Sequence, residues 1–143
     1  MDCYSCGREA DPAGLPPRER IAMDEHWRVA HAVRTALPGW LVLMPRRHVL
    51  SVAALTDAEA ASLGSWQVRL SRALRAVTGC EKTYVAQFAE QAGFEHVHFH
   101  VVPRAVGHPE ELRGPRVFGL LNAADPVGDR RMDELALEIG ALL

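Results

Sequence analysis

The chain has 143 residues, 48% of them hydrophobic and 24% charged, which is enough apolar material for one domain with its own core. A formal net charge of −2 excludes the basic excess by which proteins track long nucleic acid, and leaves a small anionic ligand open. The opening MDCYSCGREADPAG has neither a basic nor an apolar run, and no stretch is long and apolar enough to span a bilayer, so a soluble cytoplasmic protein without a membrane partner is expected.

The first motif in the chain is Cys3-x-x-Cys6. Three cysteines in all do not make a secreted disulfide framework, so the pair is read as a metal half-site, with a thioredoxin-like redox pair as the alternative. RERIAMDEHWRVAHAV is expected to form two strands around a turn at Asp24–His26, and WLVLMP (Trp40–Pro45) a short buried third. Thr56, with Glu59 three residues on, caps a helix whose apolar residues Leu63, Trp66, Leu70, Leu74 and Val77 recur at three- and four-residue steps until Gly79. Arg69, Arg72 and Arg75 on one side of it read as a solvated face rather than a phosphate-binding stripe. KTYVAQFAE and HVHFHVVP then read as two further strands joined across QAG, which predicts an α+β domain of five strands with one long inserted helix. RAVGHPEELRGPRVFG is expected to be an irregular loop, and MDELALEIGALL a terminal amphipathic helix. Cys80 reads as an ordinary small apolar residue.

The most informative stretch is His96-Val97-His98-Phe99-His100. In an extended chain side chains alternate between faces, so three imidazoles line one side while Val97, Phe99 and Val101 line the other. Scattered core histidines would each need a separate hydrogen-bond partner, which makes a functional face the better explanation. Histidines two apart on a strand have Cα atoms about 6.6 Å apart, too regular a spread for three ligands on one tetrahedral metal. The triad is therefore expected to divide its labour. Cys3 and Cys6 supply half of a zinc site, and His48 and His96 are the candidates for the other half.

The complete motif, His96 to Val102 followed by Pro103-Arg104, resembles that of the histidine triad (HIT) family of nucleotide-binding hydrolases and transferases. PGWLVLMPRRHV is similar to the family's strand-and-loop segment, and Cys3-x-x-Cys6 to the amino-terminal pair of its zinc-bearing bacterial members. The resemblance implies a HIT-like fold: a five-stranded antiparallel sheet, a long inserted helix and a C-terminal helix. It implies one domain over residues 1–143, with residues 1–15 as a zinc-binding segment, and a homodimer. It implies a structural zinc on Cys3, Cys6, His48 and His96, with His98 as nucleophile toward a nucleotide phosphorus and His100 as a second catalytic group that also contacts substrate. Gln87 corresponds to a substrate-contacting strand residue of relatives.

The chain departs from the family pattern at three places. Trp40 stands where many members have histidine and reads as a packing residue. QAGFE (Gln91–Glu95) replaces a Gly-Gln-Ser/Thr segment, and His31 or Ala32 falls where relatives contact ribose. The expected activity is cleavage of a phosphoanhydride or phosphoramidate through a nucleotidyl-histidine. A non-catalytic nucleotide-binding or sensing module with a structural zinc is the alternative, and a nucleic-acid-binding module is disfavoured by the charge.

Overall fold

A computed structural model describes residues 2–143. Among them no helix is long and apolar enough to cross a membrane. The strands are β1 (Ala22–Met23), β2 (Trp27–His31), β3 (Leu41–Pro45), β4 (Lys82–Ala86) and β5 (Phe99–Arg104). They form one antiparallel sheet in the order β1-β2-β3-β5-β4. The helices are α1 (Tyr4–Glu9), α2 (Asp57–Thr78) and α3 (Asp129–Gly140).

Alternation along the strands gives the sheet two different faces. Trp27, Val29, Leu41, Leu43, Phe99 and Val101 point to one side and pack under Trp66, Leu70, Ala73 and Leu74 of α2 and Leu135, Ala136 and Ile139 of α3. The expected helix is present residue for residue: Thr56 and Glu59 form a reciprocal capping box, and Gly79 ends the helix with φ 69°. Arg69, Arg72 and Arg75 are exposed on it, and Cys80 is buried in the core. The C-terminal helix lays Met132, Leu135, Ala136 and Ile139 on the body of the same chain.

The opposite face, carrying Arg28, Ala30, Ala32, Val42, Met44 and His100, is covered at its two ends by different segments. At one end sits α1, which sequence periodicity had not disclosed. Its Glu9 accepts from Arg28 Nε at 2.7 Å and from Arg46 Nε at 3.1 Å, while Arg28 Nη1 donates to the Glu19 carbonyl at 2.6 Å. Arg28 is fully buried, so removing it strands the buried Glu19 without its cation and leaves Glu9 with Arg46 alone. Arg28→Ala is expected to cost about 3 kcal/mol or more in urea unfolding, because a buried carboxylate left unpaired bears its full desolvation penalty. A loss below about 1 kcal/mol would show that water replaces the guanidinium.

At the other end, the stretch expected to be an irregular loop is instead ordered. It forms 3-10 turns at Glu110–Leu112 and Gly114–Leu120, and its Val117, Phe118, Leu120 and Leu121 pack with Ala32, Trp40 and Val102 in a second apolar cluster. Pro109 and Pro115 suit tight turns, and backbone bonds from Ala36 N to Leu120 O (2.9 Å), Ala123 N to Arg34 O (3.0 Å) and Val127 N to Thr35 O (2.8 Å) staple the segment to the β2–β3 turn. Glycine and proline content had signalled loss of periodicity, not loss of packing.

Several strand boundaries also differ from expectation: the first strand is only Ala22–Met23, because Pro17–Glu19 forms a 3-10 turn, and the third begins at Leu41, one residue after Trp40. The fifth strand begins at Phe99, so His96 and His98 precede it, and the fourth ends at Ala86, well short of Glu90. The cause is hydrogen bonding. His96 O accepts from the His98 ring at 2.8 Å, and Val97 N is taken by Val49 O at 2.8 Å, so this stretch is held by the 45–49 turn and its own side chain in place of a strand ladder.

Candidate active site and metal centre

Four side chains from three segments meet at the end of β3. Cys6 Sγ lies 3.2 Å from His48 Nδ1 and 3.6 Å from His96 Nδ1, and Cys3 Sγ lies 3.6 Å from His96 Nδ1. All four potential ligand atoms fall within 4.8 Å of one another. A tetrahedron with Zn–S near 2.3 Å and Zn–N near 2.0 Å has S···N edges of about 3.5 Å, so the donor set has the size and chemistry that zinc requires. Cys3 is also the N-cap of α1, its sulfur accepting Cys6 N at 3.3 Å, so the helix turn itself spaces the two thiols. His96 Nε2 is 2.7 Å from the Pro45 carbonyl, which keeps the proton on Nε2 and turns Nδ1 toward the sulfurs. Burial, followed by the neighbouring Cys3 thiol and Glu9, pushes the Cys6 thiol up to about 11. Burial holds His96 below the ordinary imidazole value, with His48, His98 and Arg28 adding to the effect.

The other two triad histidines turn into a cavity of about 290 Å³ on the second face of the sheet. His98 donates from Nδ1 to the His96 carbonyl at 2.8 Å, so its lone pair resides on Nε2. Burial lowers its proton affinity and keeps it neutral. The His100 ring lies 4.8 Å from that of His98, and burial, followed by His98, pushes it down to about 3. Trp40 is fully buried, as expected of a packing residue, but it also donates from Nε1 to His100 Nδ1 at 2.9 Å.

Neighbouring segments supply the rest of the wall. Tyr4 and Ser5 of α1 line it with Glu19, which accepts from the Tyr4 hydroxyl. Tyr4 also stacks on Phe94 at 5.1 Å and donates its backbone N–H to Gly93 O at 3.0 Å, so the helix that carries Cys6 fixes the QAGF turn, whose Gln91 and Phe94 line the cavity. Phe118, Leu121 and Asn122 close the far end. Among the described residues, three besides glycine have positive φ: Arg34 (57°), Ala89 (57°) and Asn122 (54°); all three line this cavity. Backbone strain concentrated in one wall is the pattern of a site shaped for a ligand.

The remaining candidates are placed as follows. Gln87 lies one residue past β4, outside the residues lining the cavity, with Oε1 buried and without a partner among the described residues. His31 lines the cavity but spends both ring nitrogens inside the protein, Nδ1 on Ala32 O and Nε2 on Gly39 N, each at 2.9 Å. Ala32 has no polar side-chain atom, so neither of these positions offers a ribose hydroxyl a free partner. Sequence reasoning missed Tyr4, Ser5, Glu19, Phe118 and Asn122. The apolar run in PRVFGLL was the available signal for the far wall; nothing local marks Glu19.

A half-buried and a buried imidazole opening on a cavity, beside a Cys2His2 cluster on a five-stranded sheet, define the HIT-like class of fold and site. The HIT domain family model matches residues 16–107, well over half of the chain. The protein belongs to the HIT domain family. An uncharacterized HIT-like protein from two strains of Mycobacterium tuberculosis is 29% identical over 106 residues, 72% of this chain and 72% of that one. In structure the chain is similar to a Hit-like protein involved in cell-cycle regulation from Bartonella henselae (TM-score 0.75, 18% identity, covering 100% of this chain and 98% of that one). It is also similar to a Zn-bound histidine triad family protein from Mycobacterium smegmatis (TM-score 0.69, 23% identity, covering 99% and 94%).

Proposed function

We propose that this protein is a zinc-bearing nucleotide hydrolase or nucleotidyl transferase that cleaves a phosphoanhydride or phosphoramidate bond through a covalent intermediate on His98. Membership of the HIT family supports nucleotide-directed hydrolase or transferase chemistry in general. The observation that carries the particular reading is the orientation of His98: Nδ1–H is committed to the His96 carbonyl, and a neutral Nε2 is left as nucleophile in the cavity. Attack forms an N–P bond at Nε2 while the bond from phosphorus to the leaving group breaks, its electron pair departing with that group. The ring then carries positive charge, which the His96 carbonyl stabilises through the retained Nδ1–H. Water next attacks phosphorus and gives up one proton to solvent, which has protonated the departed group, while the N–P pair returns to Nε2 and a nucleoside monophosphate is released. His100 donates from Nε2–H to a non-bridging or leaving-group oxygen as charge develops.

Cys3, Cys6, His48 and His96 would hold zinc in a structural role, tying α1 to the β3 end and the triad. Free thiols in the sequence suit a reducing cytoplasm. A homodimer is supported by β4, which is an open edge strand with Val85 and the adjacent Val68 of α2 46% and 48% exposed. Light scattering is expected to give twice the 15.7 kDa chain mass, and Val85→Lys to shift it toward the monomer. A monomer at micromolar concentration in the unmodified protein rejects the dimer.

The test of function is a panel of adenosine and guanosine phosphoramidates, dinucleoside polyphosphates and nucleotide sugars, assayed for released monophosphate. Turnover of at least one, with a nucleotidyl adduct on the peptide carrying His98 in quenched samples, is the expected result. Tight nucleotide binding with no turnover and no adduct would instead establish a non-catalytic binding module.

A further inference from the structure

We propose that Trp40 is a positioning residue: by donating its indole N–H to Nδ1 of His100 it holds that ring neutral, with the proton on Nε2, as a permanent hydrogen-bond donor to the cavity. The contact joins side chains 60 residues apart at 2.9 Å. An indole nitrogen donates and cannot accept, so His100 Nδ1 must supply a lone pair. Protonating Nδ1 would set two N–H groups against each other between buried rings, where water cannot intervene. Neither ring is free to turn away: they meet edge to face at 5.7 Å, and Phe118 packs edgewise on both, at 5.4 Å from Trp40 and 4.9 Å from His100. The residues opposite His100 on β3 and β4, Val42 and Ala86, do not titrate. His98 is the titratable ring in contact, and Tyr4, Glu19, His31, Arg34 and Glu90 complete the charged or titratable lining of the cavity. His100 consequently acts by hydrogen bonding and does not carry a second proton to the leaving group.

The inference rests on the role given above to His100, but its test needs no substrate. In nitrogen-15 NMR of the zinc-loaded protein, His100 is expected to stay neutral with a protonated Nε2 from pH 8 down to the acid limit of the fold. Trp40→Phe should raise the midpoint of His100 by about one pH unit or more, the tenfold change in proton affinity that one hydrogen bond is worth. Its tautomer signals should also become mixed. If Trp40→Phe fails to fold, benzothienylalanine at position 40 keeps the bicyclic shape, removes only the N–H, and should give the same shift. In an active enzyme the pH profile of kcat/KM gains a second ionisation in these variants. A His100 ring that keeps its charge state and tautomer in the benzothienylalanine protein overturns the proposal, whereas the expected NMR changes in a protein that turns over no substrate would count against the proposed function alone.

Discussion

His98→Ala is expected to abolish turnover and the covalent adduct together, by about 10⁴-fold or more, while zinc content and melting temperature stay near those of the unmodified protein. No second group in the cavity can replace it. His96 has both nitrogens engaged, Nε2 with Pro45 O and Nδ1 toward the thiols. His100 has its Nδ1 lone pair covered by Trp40 and therefore its proton on Nε2. Losing the imidazole costs little stability, because His98 carries one backbone hydrogen bond at the mouth of a cavity and is not part of the apolar core. His100→Ala behaves differently: one donor is lost and the nucleophile remains, so the rate falls by about 10²- to 10³-fold and the adduct still forms. Rate measurements with intact-protein mass spectrometry separate the cases. Undiminished activity in His98→Ala, or an adduct on His96 or His100, would reject the assignment of roles.

Removal of zinc is expected to have the largest effect on stability. Zinc held by this cluster would join the N-terminal segment to the end of β3 and the triad, and free zinc in thousandfold excess over its dissociation constant would contribute about 4 kcal/mol. For a domain of this size that corresponds to a melting temperature lower by roughly 10 °C after chelation or in Cys6→Ser. The effect should reach the cavity by a traceable route. Tyr4 and Ser5 of α1 line the cavity, and Tyr4 holds the turn at Gly93 and Phe94. Loosening that wall raises KM several-fold, whereas kcat at saturating substrate changes less, since His98 keeps its bond to the His96 carbonyl. Calorimetry and steady-state kinetics on Cys6→Ser check both parts. Metal analysis giving well below one zinc per chain would refute the site, and loss of kcat in a still-folded Cys6→Ser protein would make the metal catalytic.

The sequence by itself determined those features in which neighbouring residues decide the outcome. Period-two alternation put Val97, Phe99 and Val101 in the core and His98 and His100 on the cavity side, although the strand begins only at Phe99. Thr56, Glu59 and Gly79 bounded the long helix because caps are local hydrogen bonds. The four members of the Cys2His2 cluster were legible because Cys-x-x-Cys is a local half-site and the triad is too regularly spread to converge on one ion. The tertiary structure alone decided what depends on strand register and on chain crossing over chain. Register sets Val42 opposite His100, which brings the preceding Trp40 within hydrogen-bonding reach of the triad and turns an apparent packing residue into a donor. Burial of Arg28 against Glu9 and Glu19 draws α1 across the sheet, so that the segment carrying the Cys-x-x-Cys pair becomes a wall of the cavity. The segment rich in glycine and proline closes the other end because its apolar residues find Trp40 and Val102, a long-range match that no local periodicity encodes.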